Sequence, residues 1–521
     1  GIPRVLNMYE NYPFWATFFR DLGFRVILSP FSTRAIYELG MESIPSESEC
    51  YPAKLAHGHA QWLIDHGVKT IFHPCVFYEH QEVPGAQNHF NCPIVVSYPE
   101  NIKNNVEAVT DGSVRYLHPF LAFTNERVAS DRLVQFCKEV WNIPEKETRH
   151  AAHLAWEEQR RAKADVRAAG AKALADMEKN GGSGIVLAGR PYHVDPEINH
   201  GIPELIAAYG LTVLTEDCLP IDFVPKRPVR VNDQWVYHSR LYTAAEFVCG
   251  RDDLELIQLN SFGCGLDAVT TDEVCELLEQ GGKLYTCLKI DEVNNLGAVR
   301  IRIRSLLAAV AMRRERGIHS TSHVQPFERV YYTKEMQKQH YTILAPQMSP
   351  IHFDILEPIF RHHGYNFEVL QNDDRAAIDA GLKYVNNDAC YPSITAVGQL
   401  MEAVTSGRYD TDHLALIMSQ TGGCCRASNY IAFIRRALKK AGLEHIPVIS
   451  LNANGMETNE GFRISPSLLL DAAHGIVLGD LLMRCLYRVR PYELEKGSAN
   501  ALHRKWRDIC IDSLTSEHPK Y

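Results

Sequence analysis

The sequence contains no dense tract of lysine and arginine, and its 54 basic and 63 acidic residues give a formal net charge of −9. Binding to a phosphate backbone depends on clustered cations that release counterions, so nucleic-acid binding is not expected. The sequence also has no secretory leader and no run of about 18 apolar residues, the length that a membrane-spanning helix needs. It begins at Gly1 rather than Met, and we expect a processed product or a piece of a longer polypeptide. These absences favour a cytoplasmic protein.

The paired cysteine spacings of a zinc ribbon and the dense cysteine run of a ferredoxin are also missing. The 14 cysteines are instead dispersed through 521 residues. Disulfides do not persist in a reducing compartment, so the cysteines are expected to be buried apolar residues, metal ligands or nucleophiles. Five that lie in helix-like or polar stretches are assigned no role, namely Cys137, Cys249, Cys275, Cys485 and Cys510.

One pattern occurs three times along the chain: an apolar strand, a loop, an amphipathic helix, a glycine and a second apolar strand. The copies span residues 4–28, 184–214 and 341–370. Such alternation is typical of βαβ crossovers in a parallel sheet. The sequence therefore predicts an α/β protein with three Rossmann-like, doubly wound parallel-sheet domains. Ligands are expected beyond the carboxyl ends of the strands.

Two stretches of distinct composition divide these copies. Residues 144–180 are rich in Ala, Lys, Glu and Arg and indicate long exposed helices, and residues 317–327 form a polar segment with His319 and His323. The predicted organisation follows from these boundaries: a first α/β domain at 1–143, a helical linker at 144–182, a second α/β domain at 183–325, a third at 326–490 and a C-terminal tail at 491–521.

Two cysteines open a repeated motif, Cys-Tyr-Pro, at Cys50 and Cys390. A glycine follows each at the same distance, as Gly58 and Gly398. Proline is well tolerated in the first turn of a helix, so each motif predicts a helix that begins just after the cysteine. The positive end of the helix dipole favours a thiolate there.

Four further cysteines lie where strands end or begin. Cys75 follows a buried strand that ends near Phe72, and Cys92 precedes an apolar stretch predicted as a strand at 94–96. Cys264 and Cys425 follow apolar strands and lie beside glycines, which let the backbone approach a bulky cofactor. The candidate ligands are therefore Cys50, Cys75, Cys92, Cys264, Cys390 and Cys425. Dispersed soft thiolates suit an iron–sulfur cluster in a cleft between domains, with buried structural thiols and a zinc site as alternatives.

Several strings through the chain resemble the dehydratase-type region of the large activase–dehydratase fusion proteins. They are similar, more distantly, to 2-hydroxyacyl-CoA dehydratase subunits and to double-cubane-cluster proteins. The strings, each given by its number range, are 2–10, 49–54 with 57–59, 72–75, 91–95, 189–193, 261–265, 288–292, 387–392 and 423–430.

This resemblance implies an iron–sulfur centre that accepts low-potential electrons and reduces a small molecule. The implied partner is an ATP-hydrolysing activase of the acetate-kinase, sugar-kinase and heat-shock (ASKHA) fold, which carries a [4Fe–4S] cluster and precedes this region in the fusions. Six cysteines favour a double cubane [8Fe–9S], with a single [4Fe–4S] as the alternative. Cys424 stands where the resemblance leads us to expect Gly, so Cys424 is the alternative to Cys425 as a ligand. A homodimer is a further expectation.

Other side chains are candidates for catalysis. His57, His59 and His193 are predicted proton donors, since histidine titrates near neutral pH, although helix capping is the alternative role. Arg190 and Lys289 are predicted to pair with anionic substrate or cluster charge, against the alternative of ion pairs with nearby acids. The rival functions are a 2-hydroxyacyl-CoA dehydratase subunit, a non-catalytic electron-storage module and a structural zinc protein. The substrate is not apparent from the sequence.

Overall fold

The computed structural model describes residues 1–293, 296–320, 324–452, 455 and 457–516. The chain divides into two compact units, residues 1–327 and 328–521. Both are mixed α/β, and the strand pairs of their sheets are parallel, as expected for Rossmann-like domains. Among the described residues, no helix combines the length and apolarity that crossing a bilayer requires.

The first unit alternates helices and short strands. Its described elements in chain order are α1 (Met8–Asp21), α2 (Arg34–Gly40), α3 (Tyr51–Asp65), β1 (Thr70–Phe72), β2 (Cys75–Tyr78), α4 (Pro93–Asn105), α5 (Glu107–Thr110), β3 (Arg115–Leu117), β4 (Phe120–Ala122), α6 (Glu126–Trp141), α7 (Glu145–Lys179), β5 (Gly184–Ala188), α8 (Pro196–Asn199), α9 (Ile202–Ala207), β6 (Thr212–Leu214), α10 (Val236–Cys249), β7 (Leu254–Ser261), α11 (Gly265–Gln280), β8 (Thr286–Ile290) and α12 (Leu296–Glu315). Short 3₁₀ helices lie at Met41–Ser43, Pro191–Val194 and Glu216–Cys218.

The second unit has the same alternation. Its described elements are α13 (Lys334–Lys338), β9 (Thr342–Ala345), α14 (Pro350–His362), β10 (Phe367–Val369), α15 (Arg375–Tyr384), α16 (Tyr391–Thr405), β11 (Leu414–Ser419), α17 (Tyr430–Lys440), β12 (Val448–Leu451), α18 (Pro466–Val489) and α19 (Ser498–Thr515), with 3₁₀ helices at Thr411–His413, Arg426–Asn429 and Arg490–Tyr492.

One strand order recurs. The larger sheet of the first unit runs β6-β5-β7-β8, and the sheet of the second runs β10-β9-β11-β12. In each sheet the first strand along the chain lies between the second and the third, so the crossovers reverse direction at that point. Ligands of doubly wound sheets bind at this switch point, beyond the carboxyl ends of the strands. In the first unit those ends are Ala188 and Ser261, and the segments that follow them carry Arg190 and Cys264.

The amino-terminal copy has the same strand order, but its strands are reduced to short pieces. Ile2 bridges Leu28 in parallel, the amide of Phe72 donates to the carbonyl of Gly1, and β1 pairs with β3. The strand that should open the copy at residues 4–28 does not form there, because α1 begins at Met8 and the backbone at Leu6 has a positive φ of 49°. A second local expectation is also wrong, since the apolar residues after Cys92 belong to helix α4.

A shared hydrophobic core connects the helices that follow Cys50 and Cys92 to the larger sheet of the first unit. Leu55 of α3 and Tyr98 of α4 lie in the same buried cluster as Ile257 of β7 and Leu288 of β8. Burial of such side chains provides about 1.5–3 kcal/mol each. The core therefore brings the amino-terminal ends of α3 and α4 to the sheet whose third strand leads to Cys264.

Both Cys-Tyr-Pro helices pack against the preceding helix through glycines. A Cβ on Gly58 of α3 would lie 1.8 Å from the carbonyl oxygen of Ile36 in α2, and a Cβ on Gly398 of α16 would lie 2.0 Å from the carbonyl oxygen of Ala377 in α15. Neither helix pair leaves room for a side chain at its crossing. The glycine in the sequence repeat therefore marks a close helix contact in both units.

We expect Gly58→Ala to destabilise the protein by about 1–3 kcal/mol, because the added methyl group must displace backbone. Gly250→Ala is the matched control, since the nearest atom to a Cβ there, the carbonyl oxygen of Phe247, is 3.5 Å away. The control should change stability by about 0.5 kcal/mol or less. Urea unfolding of both variants measures the difference, and equal effects would contradict the close-contact explanation.

Candidate functional site

Three cysteines of the first unit occupy the same local position. Cys50, Cys92 and Cys264 are the N-cap residues of α3, α4 and α11, each with extended backbone angles. In each case the amide three residues further on hydrogen-bonds the thiol and lowers its pKa. The helix N-terminus thus favours the thiolate form of all three side chains.

These three thiols lie close enough to influence one another. Burial raises the pKa of Cys50 to about 12, and the nearby Cys92 adds to this effect. Burial also raises the pKa of Cys264, with further contributions from the charge of Asp267 and then from Cys92. The buried Tyr192 has its pKa raised by burial and by all three thiols. Because burial outweighs the helix N-termini, the thiols stay protonated unless a bound metal ion stabilises their thiolates.

A buried arginine carries the positive charge of this site. Arg190 Nη1 donates to Asp267 Oδ2 at 3.1 Å, and its Nη2 also contacts Asp267 Oδ1. The same Nη2 donates to His238 Nε2 at 3.0 Å and lies 3.9 Å from Cys264 Sγ. The side chains of Arg190 and Asp267 are only 3% and 0% exposed, so this ion pair is screened little by solvent.

Two histidines near Arg190 each retain a buried N–H donor. The amide of Arg190 donates to His193 Nδ1 at 3.0 Å, and Arg190 donates to His238 Nε2. A neutral imidazole that accepts at one nitrogen carries its proton on the other. Among the described residues, His193 Nε2 and His238 Nδ1 have no hydrogen-bond partner. Burial lowers the pKa of both histidines, so both are neutral donors.

The other two predicted histidines hold α3 in place. His59 lies between Ser29 Oγ, 2.8 Å from its Nδ1, and Ser32 Oγ, 2.9 Å from its Nε2. His57 Nδ1 lies 2.8 Å from Ser43 Oγ. Burial lowers the pKa of His59 to about 3 and that of His57 to about 4. These contacts connect α3 to the segments before it that carry the three serines.

Lys289 lies on β8, where its Nζ is 5.4 Å from the centre of the Phe262 ring. It lines a cavity of about 500 Å³ together with His200, Asp291 and Arg302. This cavity adjoins the loop that leads to Cys264, because Phe262 belongs to both.

Cys75 has different neighbours from the three N-cap cysteines. Its thiol lies in a group with Glu100 and His118, whose ligand atoms are all within 4.8 Å of one another. Burial raises the pKa of Cys75 to about 12, and the charged groups that act on it are Glu100 and Lys103. The structure thus places Cys75 with oxygen and nitrogen donors.

The second unit brings its own two candidates to one tyrosine. Cys390 is the N-cap of α16, and its Sγ lies 2.9 Å from the hydroxyl of Tyr430. Cys425 is the N-cap of the 3₁₀ helix that precedes α17, and its charge also raises the pKa of Tyr430, although burial is the larger cause. Cys424 is half-buried beside it.

Sequence reasoning missed Asp267, His238, Tyr192 and Tyr430. Asp267 comes one helical turn after Cys264, and a carboxylate there is a usable signal for a buried cation nearby. Tyr192 follows the predicted Arg190 by two residues. His238 lies on α10 and had no local signal, because only the fold brings that helix to Arg190.

Comparison with known protein families matches residues 1–219 to the CoA enzyme activase uncharacterised domain (DUF2229). The matched span contains Cys50, Cys92 and Arg190, and Cys264 lies beyond it. A search of curated proteins returns no match. The family match relates this part of the chain to activase and dehydratase systems, in agreement, at this coarse level, with the resemblance seen in the motifs.

We expect Asp267→Asn to destabilise the metal-free protein by about 3–5 kcal/mol, because it leaves the buried Arg190 without its counter-charge. Glu38→Gln is the control, since it removes one partner of the exposed Arg34–Glu38 pair and should cost about 0.5 kcal/mol or less. Equilibrium urea unfolding measures both. Similar losses of unfolding free energy in the two variants would show that the buried pair stabilises the protein no more than the exposed pair does.

His59 should make stability depend on pH. Its pKa is about 3 in the fold and about 6.5 in an unfolded chain, so the unfolded state binds the extra proton. Its contribution is therefore complete above pH 6.5 and falls by about 1.4 kcal/mol per pH unit as the pH drops toward 4. In His59→Gln this part of the slope should disappear, as urea unfolding between pH 7.5 and 4.5 would show. The exposed His66→Gln is the control, and an unchanged slope in His59→Gln would refute the assignment.

Proposed function

We propose that Cys50, Cys92 and Cys264 bind an iron–sulfur cluster that accepts a low-potential electron from an ATP-hydrolysing activase and passes it to a small molecule. The observation that carries this proposal is the convergence of three helix-capping thiols beside one buried arginine. The thiols come from three separate helices rather than from the short paired spacings of a structural zinc site, and soft thiolates suit an iron–sulfur cluster.

The residues around the thiols fit such a group. A cluster with three thiolates is anionic, and Arg190 supplies a buried positive charge 3.9 Å from Cys264 Sγ. The two histidines that keep an N–H group unpartnered among the described residues, His193 and His238, both contact Arg190 through their other ring nitrogen. When bound, the cluster would supply one-electron chemistry. Hydrogen bonds to its sulfurs and its burial would set the reduction potential.

Three cysteine ligands leave one iron of a [4Fe–4S] cluster for another ligand. Water would occupy that iron until a small molecule replaced it, and a reductase needs such a position for its substrate. The match of residues 1–219 to a CoA enzyme activase domain supports an activase as the electron donor. The double cubane with six thiolates, which also requires Cys75, Cys390 and Cys425, is the second candidate for the cluster.

The decisive measurement is iron and acid-labile sulfide per chain after anaerobic reconstitution. We expect about four of each for a single cubane, and about eight irons if the double cubane forms. Cys50→Ala, Cys92→Ala and Cys264→Ala should each lose most of the iron, whereas the exposed Cys485→Ala should keep it. Zinc without iron or sulfide would eliminate the proposal.

Turnover separates the reductase from its rivals. The reconstituted chain is reduced with titanium(III) and then given lactoyl-CoA as the probe of dehydration. Formation of the 2-enoyl-CoA would show that the protein is a dehydratase and not a reductase. A cluster that cycles between redox states and reduces no added small molecule would instead support electron storage.

A further inference from the structure

Two His-Pro sequences interrupt neighbouring strands at the same level. His73-Pro74 separates β1 from β2, and His118-Pro119 separates β3 from β4. The register pairs Phe72 with Leu117 before the break and Cys75 with Phe120 after it. Proline has no N–H group to donate to the neighbouring strand, so both strands are interrupted at this point. This shared break places Cys75 and His118 next to each other.

Helix α4 adds a third donor at the break. Glu100 lies on α4, and its carboxylate oxygen, Cys75 Sγ and a ring nitrogen of His118 are all within 4.8 Å of one another. Cys75 is fully buried, and the other two side chains are partly buried. The group thus combines one sulfur, one nitrogen and one oxygen donor from three different elements.

The contact between the two non-sulfur donors is unusual. His118 Nδ1 lies 2.6 Å from Glu100 Oε1, yet this buried nitrogen forms no hydrogen bond with any described residue. At such a short distance the missing hydrogen bond means that the N–H direction does not point at the oxygen. His118 Nδ1 is therefore not committed to a hydrogen bond with Glu100 and remains available as a ligand.

We propose that Cys75, Glu100 and His118 bind a divalent cation of the zinc type, separate from the cluster held by the N-cap cysteines. Thiolate, imidazole and carboxylate together form a ligand set that zinc takes, with three protein ligands and a fourth position for water. Neighbouring groups are Lys103, whose Nζ is 3.5 Å from Glu100 Oε2, and His73, which lies 2.9 Å from the hydroxyl of Tyr116. Lys103 offsets part of the carboxylate charge and leaves the other oxygen toward His118.

The cation would fix the position of α4. Cys92 is the N-cap of this helix and Glu100 lies two turns further along it. A metal bond from Glu100 to the strand break would therefore hold the helix that presents Cys92. The proposed role of the cation is to hold α4 in position.

The test uses the full chain in a Cys50→Ser/Cys264→Ser background, where the N-cap cluster site is dismantled. After chelator treatment the protein is titrated with Co²⁺ under anaerobic conditions. We expect one Co²⁺ per chain with the absorption of a thiolate-to-cobalt charge transfer. Adding Cys75→Ser should abolish this band, and adding His118→Gln should weaken Co²⁺ binding at least about 100-fold. Adding Cys485→Ser is the control and should change neither.

A second measurement keeps this proposal distinct from the proposed function. In the reconstituted protein without the background changes, Cys75→Ser and His118→Gln should lose zinc and keep iron. Loss of iron in either variant would assign Cys75 to the cluster and overturn the separate site. A Co²⁺ band that survives Cys75→Ser, or no Co²⁺ binding in the background protein, would overturn it as well.

Discussion

Arg190 is a full positive charge placed where solvent does not reach, and its contacts with Asp267 and His238 hold it beside Cys264. Such a charge costs several kcal/mol to bury unless it is paired and hydrogen-bonded. Asp267 supplies the counter-charge, and His238 accepts one further hydrogen bond. The guanidinium is fixed by these contacts and keeps one edge 3.9 Å from Cys264 Sγ. An anionic group bound by the cysteines would therefore meet a positive charge that is already held in place.

The fold explains why thiols gather at this charge. Arg190 and Cys264 follow β5 and β7, the two strands on either side of the switch point, where the crossovers reverse. Cys50 and Cys92 reach the same place by capping helices that share the core of that sheet. In the second unit Cys425 follows β11, the equivalent third strand, and Cys390 begins the equivalent glycine-packed helix. One topology thus produces one kind of cysteine position in both units.

Local signals in the sequence predicted much of this arrangement. Cys-Tyr-Pro with a spaced glycine correctly predicted the helices that begin after Cys50 and Cys390, because proline is favoured in the first turn of a helix. The same proline signal follows Cys92, but the β-branched residues after it favoured a strand, and tertiary packing overrode that preference. Of the partners of Arg190, Asp267 had a local signal one turn after Cys264, whereas His238 had none, since only long-range contacts bring α10 to Arg190.

Cys75 shows most clearly how context changes the chemistry of a cysteine. It follows β1, the third strand in the order of the amino-terminal ladder, as Cys264 follows β7 and Cys425 follows β11. After Cys264 and Cys425 the chain turns into a helix, which aims amide groups at the sulfur. After Cys75 the chain continues as β2, so its thiol has no helix terminus; Cys75 pairs with Phe120, and its thiol lies near His118 instead. A thiol without that dipole needs other donors to bind a metal, and His118 at the break in the strands and Glu100 on α4 are the nearby side chains that could supply them.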